Sequence, residues 1–295
     1  MIRRALSAFA LLASLPAHAA EPTPFTIEQT RLLSEAEGRL ADNPNDADAL
    51  IWKGRRLGYL GRLEESIATY EAGEKLHPAD ARFARHIGHR LISLRRFEEA
   101  EAALARAAKL VAAAPDAVEP DGLPNAAGVP TSTLKGNIYY HLGLAQYLRG
   151  GFGEAASSYQ GAAALADNPD AAAAALYWLY LSLKRAGADA AAAAALARVD
   201  ASWMLIENGV YHELALCFRG EADCDAILAR AREAEGVDFA TPAYGVAMQR
   251  RLKGDRKGAR ALLREILERD DGTAFGRLAA EADLKREEAP RLDDF

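Results

Sequence analysis

The chain has 295 residues, 50% of them hydrophobic, with 36 lysines and arginines against 42 aspartates and glutamates and a formal charge of −6 at pH 7. That length can bury a sizeable core, and the acidic balance argues against nucleic acid or anionic lipid as the main partner. Of the motifs that carry chemistry, a phosphate loop, a His-Glu-x-x-His pair and a Cys-x-x-Cys pair are all missing.

Residues 1–20 hold Arg3 and Arg4, an apolar run over 5–15, and the small-x-small sequence Ala17-His18-Ala19. This pattern predicts a cleavable export signal over 1–19 and a periplasmic protein, with secretion as an alternative. The twin arginines lack the rest of the motif read by a folded-export pathway, so the general secretory route is expected. No cysteine follows the run, hence no lipid anchor is expected. An uncleaved membrane anchor would need a longer run. Removing Arg3 and Arg4 leaves 34 basic residues against 42 acidic ones, a mature charge of −8. The best later candidate for a span, residues 171–183, is bounded by Asp170 and Lys184 and reads as a buried helix.

An N-terminal segment at 20–46 carries one expected helix over 26–41. Two copies of one pattern then fill 47–110 in register: Gly54 with Gly88, Leu63 with Phe97, Ser66 with Ala100, Tyr70 with Leu104 and Gly73 with Ala107, each offset by 34. Antiparallel helices approach closely only where facing positions carry little side chain, which accounts for the small members of the set. The large ones recur on faces that a lone hairpin cannot bury, so the next hairpin must stack on them. Pro44 and Pro78 share the same offset and stop the preceding helices.

Residues 111–135 break the register. Pro115, Pro120, Pro124 and Pro130, with Gly122 and Gly128, predict a long loop inserted into the repeat. A third copy resumes at 136–169, where Gly143, Phe152, Ala155 and Tyr159 answer earlier positions, with Ser132 or Thr133 as cap. Degenerate hairpins are expected over 170–272: one over 173–199 turning at Gly187, one over 201–233 turning at Gly220, and one over 242–268 turning at Gly254. A capping helix at 273–286 and a frayed acidic tail complete the segment 273–295.

Cys217 and Cys224 flank the Gly220 turn. In an oxidising compartment they could form a disulfide that adds roughly 2–3 kcal/mol, and two buried free thiols are the alternative. A catalytic thiol would find no placed base except His212. Ser132-Thr-Leu-Lys135 matches a serine-x-x-lysine pattern, but helix capping explains it better because no Lys-Thr-Gly companion exists. His86 and His141 occupy the position that Trp52 takes in the first copy, which favours packing over metal ligation, and no metal or cofactor is expected.

The period and its matched positions resemble the tetratricopeptide (TPR) repeat family over 47–110 and 136–166. Trp178-Leu-Tyr-Leu181 and Phe218-Arg-Gly-Glu221 loosely resemble stretches of the NlpI family of periplasmic repeat lipoproteins, which act as adaptors, although the lipidated cysteine is missing here. Other stretches look like exported bacterial repeat proteins without assigned activity. The resemblance implies an all-α, right-handed superhelical solenoid whose first helices line a concave groove. Family groove positions fall on Arg55, Tyr59, Arg82, Arg85, His89, Asn137, Tyr140 and Arg149 in this chain. Such a basic, aromatic groove on an acidic protein suits a carboxylate or an extended acidic peptide. The bland alternative is that these arginines pair internally with Glu119 and Asp121 of the insertion, which could fold across the groove and complete or occlude it. The expected function is a non-enzymatic protein-binding scaffold or adaptor of the cell envelope. The alternative is binding of a small carboxylated or sugar-like ligand by Arg55, Arg85, His89 and Tyr140.

Overall fold

The computed structural model describes residues 21–234, 236–269 and 272–288; the export signal expected at 1–19 and the end of the expected tail, from 289 onward, lie outside them. Among the described residues the chain is all-α, a run of TPR-like hairpins. A leading helix α1 (Pro24–Asp42) precedes six hairpins. These are α2 (Ala47–Tyr59) with α3 (Leu63–Leu76), α4 (Ala81–Ser93) with α5 (Phe97–Val111), α6 (Leu134–Arg149) with α7 (Phe152–Leu165), α8 (Pro169–Arg185) with α9 (Asp189–Leu196), α10 (Gly209–Arg219) with α11 (Cys224–Ala231), and α12 (Val237–Leu252) with α13 (Arg256–Arg269). A last helix, α14 (Phe275–Glu288), follows.

The first three hairpins each nest on a glycine. A side chain added at Gly54 would strike the Tyr70 ring, one at Gly88 would strike Leu104, and one at Gly143 would come within 2.8 Å of Tyr159. In all three the large partner lies 16 residues on, so the same contact recurs at each repeat and sets the spacing of the two helices. Ser66 adds a hydrogen bond from its hydroxyl to the Gly54 carbonyl at 2.6 Å. The turns inside the hairpins are left-handed: Gly61, Gly150, Gly187, Gly220 and Gly254 take positive φ there, and glycine does so without steric strain. In the second hairpin the same position is Arg95, at φ 63°.

Between the repeats the inner helices pool their aromatic residues. Trp178 of α8 is fully buried, with ring centroids 5.1 Å from Tyr147, 5.3 Å from Tyr177 and 5.9 Å from Tyr244. Helices α6, α8 and α12 are thereby tied into one core.

Three features differ from the sequence reading. The fifth hairpin begins only at Gly209, because the link before it is held by Asp170, whose buried carboxylate accepts from the amides of Ile206 (2.9 Å), Glu207 (2.8 Å) and Asn208 (2.7 Å). Pro242 does not start α12 but sits inside it, where it lacks an amide proton to donate one turn back. Helix α14 does not merely cap the last hairpin. It packs on α12 and α13 and also reaches back to α6. Cys217 and Cys224 form a disulfide across the Gly220 turn, with Cα atoms 5.3 Å apart.

Urea unfolding checks these packing statements in three ways. Gly88→Val should destabilise the protein by about 1–3 kcal/mol in urea unfolding. Gly38→Ala, where nothing lies within 4 Å of the added carbon, should raise stability by up to about 1 kcal/mol. Reducing the disulfide, or replacing both cysteines by serine, should cost about 2–3 kcal/mol in the same assay, since the closed loop is only 7 residues long.

Candidate functional site

The inner faces of α2, α4 and α6 hold the basic cluster that the sequence pointed to, and the chain's own insertion lies on it. The loop between α5 and α6 is pinned at its ends by an isolated antiparallel bridge of Val118 with Thr133. The Glu119 amide donates to Ser132 O at 3.1 Å and the Leu134 amide to Ala117 O at 2.8 Å. From there the chain runs across the inner helices in an extended course. Glu119 is only 6% exposed and faces Arg85, equally buried, with Oε2 at 3.1 Å from the guanidinium Nε. His86 Nε2 stands 3.4 Å from its other oxygen, and Asn137 Nδ2 donates to Oε2 at 2.8 Å. Next along, Arg55 donates to Pro120 O at 2.7 Å and Arg56 to Gly122 O at 3.0 Å. A side chain at Gly122 would have to push aside the Tyr59 hydroxyl and the Arg55 guanidinium, which close over this point.

The expected groove residues therefore divide. Arg55, Tyr59, Arg85 and Asn137 converge on the insertion. His89 and Tyr140 pack under α14: His89 lies 4.4 Å from His141 and 6.0 Å from Phe275, and Tyr140 lies 6.2 Å from Phe275. Arg82 and Arg149 do not join the others. Arg82 is clamped by Asp80 and by Asp48, both at 2.6 Å, and Arg149 pairs with Glu98 and Glu101 of α5. An open groove of eight such residues is thus corrected to one whose members are engaged internally, for a simple reason. Burying a guanidinium without a partner costs several kcal/mol, and the insertion supplies partners to Arg55 and Arg85, whereas Arg82 and Arg149, 36% and 38% exposed, pair with nearby acids. The same correction applies to the small-ligand cluster of Arg55, Arg85, His89 and Tyr140.

Helix α14 is locked by charge. Asp283 is 1% exposed and receives Arg185 and Arg286, each at 2.6 Å, and the Tyr244 hydroxyl at 2.9 Å. Arg286 also donates to Leu148 O at 2.6 Å. At the Arg95 turn, a non-glycine residue in the left-handed region costs on the order of 1 kcal/mol, and its guanidinium reaches Glu281 of α14 at 2.8 Å. Burial raises the Glu281 carboxyl, but Lys285 and Arg95 outweigh it and bring it down to about 2.

Sequence reasoning missed Arg90, Glu207, Tyr211, Phe275 and Asp283. Glu207 and Phe275 carry no repeat-register signal, whereas Arg185 and Asp283, a buried pair far apart in sequence, could be found only through the fold. Of the two possible caps Thr133 is the one used, accepting from the Gly136 amide at 3.1 Å, while the Ser132 hydroxyl accepts from Asn137 at 3.0 Å. Among the described residues no three histidine, cysteine or carboxylate side chains group as a metal site, and no helix is long and apolar enough to cross a membrane.

Beside the insertion a cavity of about 270 Å³ opens between α6, α7, α8 and the starts of α10 and α14. Alanines of α7 and α8 form one wall, and Tyr140, Tyr211 and Phe275 another. The Tyr140 hydroxyl donates to that of Tyr211 at 3.4 Å.

No family model and no curated protein matches the chain. Among solved structures it is similar to YrrB, described as a TPR protein with an unusual peptide-binding site, at 15% identity over 86% of this chain and 99% of that one, with a TM-score of 0.46. It is also similar to MamA, at 18% identity over 55% of this chain and 81% of that one, with a TM-score of 0.43. The third likeness is to a chain of the Naa15/Naa10 complex bound to HypK-THB, at 18% identity over 82% of this chain and 34% of that one, with a TM-score of 0.40.

Two outcomes check the site. Removing Glu119 by an alanine substitution should cost about 3–5 kcal/mol, because Arg85 is left buried and unpaired, and Arg85→Met with Glu119→Leu together should recover much of that loss. Burial first, and neighbouring arginines next, hold His86 and His89 well below the usual imidazole value, and burial brings His141 to about 3. The unfolded rings take up a proton near pH 6.5 that the folded rings refuse, so stability is full above that pH and falls as pH drops towards 3. By pH 5 the His141 ring alone should cost on the order of 2 kcal/mol, and urea unfolding of His141→Asn against pH should show a slope shallower by about one proton.

Proposed function

We propose that this protein is a non-enzymatic scaffold of the bacterial envelope whose inner face holds an acidic, extended segment of a partner protein. The observation that carries this reading is the segment Glu119-Pro120-Asp121-Gly122 itself. It lies along α2, α4 and α6 as an extended acidic peptide would, with its carboxylate on Arg85 and its carbonyls on Arg55 and Arg56. The groove also carries a further cation: Arg90 is half-buried beside His89, and its buried Nε has no hydrogen-bond acceptor. A guanidinium fork is suited to carboxylates, and main-chain carbonyls read by arginines leave side-chain identity open between the acidic positions.

In this reading the insertion is the resident occupant, and a partner exchanges with it. Exposing the buried pair costs about 3–5 kcal/mol, so the open groove is present in roughly one molecule per thousand, and an outside peptide binds more weakly by that same factor. A partner that also docks on the surrounding solenoid offsets this by raising the local concentration of its acidic segment. The leader over 1–19 supports export, and a disulfide persists in an oxidising compartment such as the periplasm.

The test uses a variant lacking 118–129 and a synthetic peptide of residues 117–124. The deleted protein should bind the peptide at least about a hundredfold more tightly than the intact chain, and the affinity should fall steeply with salt. Adding Arg85→Ala should abolish binding. Equal, weak binding by the intact and deleted chains, with both folded by circular dichroism, would remove the groove from the function. Amino-terminal sequencing of protein recovered from the envelope should begin at Ala20.

A further inference from the structure

The cavity beside the insertion is a different kind of site from the groove. The groove is basic; among the described residues lining the cavity none is basic, while Glu207 and Asp167 bring two carboxylates. Its electrostatic surroundings reinforce that sign. Asp121 lies close enough to Glu207 for its carboxyl to be pushed up, by burial first and then by the Glu207 charge, and Asp170 sits beneath the link that carries Glu207. On the far side of α6, Arg85 faces Glu119, and burial keeps His141 neutral at physiological pH.

Three aromatic rings complete the wall. Tyr140 and Phe275 meet at an interplanar angle of 40°, forming a corner, and Tyr211 stands against Tyr140 through their hydroxyls. Opposite them is a floor of small methyl groups from Ala162, Ala171, Ala174 and Ala175. Carboxylates, aromatic rings and apolar methyl groups lining one cavity suit a group that is positively charged but weakly hydrated. A carboxylate would meet repulsion there and no cationic donor.

We propose that this cavity binds a small organic cation, its ammonium group held against Tyr140, Tyr211 and Phe275 with the Glu207 carboxylate as counter-charge. Glu207 is anchored for that task. Thr131 bonds one of its oxygens, Asn125 Nδ2 donates to the other at 3.3 Å, and the backbone amide of Glu207 is fixed on Asp170 at 2.8 Å. These bonds hold the partly solvent-exposed carboxylate at the cavity before any ligand arrives, which lowers the ordering cost of binding. Because Thr131 and Asn125 belong to the insertion, the cation also sits at the junction of the insertion with α10. The volume, about 270 Å³, suits a free metabolite-sized amine.

The experiment is calorimetric titration of the full mature chain with choline and with benzylamine, each beside its neutral isostere, 3,3-dimethylbutanol and benzyl alcohol respectively. At least one cation should bind saturably with Kd below about 1 mM, and its isostere should bind at least about tenfold more weakly. Glu207→Gln removes the charge but keeps the shape, its oxygen accepting from Asn125 Nδ2 and its amide donating to the Thr131 hydroxyl; it should weaken the cation about tenfold and leave the melting temperature and the neutral isostere unchanged. Failure of both cations to saturate, equal affinity for a cation and its isostere, or indifference to Glu207→Gln would each overturn the proposal. A capped lysine dipeptide that binds where both free amines fail would also overturn it, by assigning the cavity to a protein side chain.

Discussion

The structure depends on one repeated steric relation: a glycine on the inner helix of a hairpin facing a large side chain 16 residues later. At Gly54, Gly88 and Gly143 the partner ring or isobutyl group occupies the space where a Cβ would stand. Each hairpin is thereby held at the same separation, its apolar faces are left for the next hairpin, and the inner helices α2, α4, α6 and α8 fall side by side. A curved inner face follows, and its polar residues come from positions that sit far apart in sequence.

A curved inner face of this kind has to be satisfied by something. Here α14 and the insertion do it, with chemistry matched to what they cover. Where α4, α6 and α8 present aromatic rings and Arg185, α14 brings Phe275 and Asp283. Where α2 and α4 present arginines, the insertion brings Glu119 and a row of carbonyls. Both contacts bury charge, and buried charge pairs stabilise little beyond an apolar core of equal volume while being costly to break. They therefore act as selectors of one arrangement, and they make the occupancy of the inner face an all-or-none matter.

The two sites that result differ in sign although they share a wall. Asn137 and Tyr140, on adjoining turns of α6, look one way to Glu119 and the other to Tyr211 and Phe275. The insertion links them, because its residues 119–122 lie in the basic groove while Asn125 and Thr131 hold Glu207 at the cavity. Occupation of one is thus physically joined to the other through a single loop closed by the bridge of Val118 with Thr133.

Nearest-neighbour features were legible in the sequence. The hairpin pattern, the break at 111–135, the turns at Gly187, Gly220 and Gly254 and the pairing of Cys217 with Cys224 depend on residues within one or two helices of each other, where spacing alone sets geometry. Arg55, Tyr59, Arg85 and Asn137 were also correctly gathered, because the register places them on one face. What they touch was decided only in the tertiary structure. Glu119 was already a candidate partner for the groove arginines from its place in the insertion, and the structure decided that it pairs with Arg85; Asp283 looks like an ordinary surface acid in the sequence, and nothing local marks Phe275 or Glu207. Their roles depend on how far the superhelix turns before α14 meets α6, a sum of small rotations over four hairpins that no local pattern encodes. The sequence by itself determined the repeating unit, because steric fit between neighbours is local; the tertiary structure decided that the inner face is occupied and where a cavity remains, because those follow from closure over the whole chain.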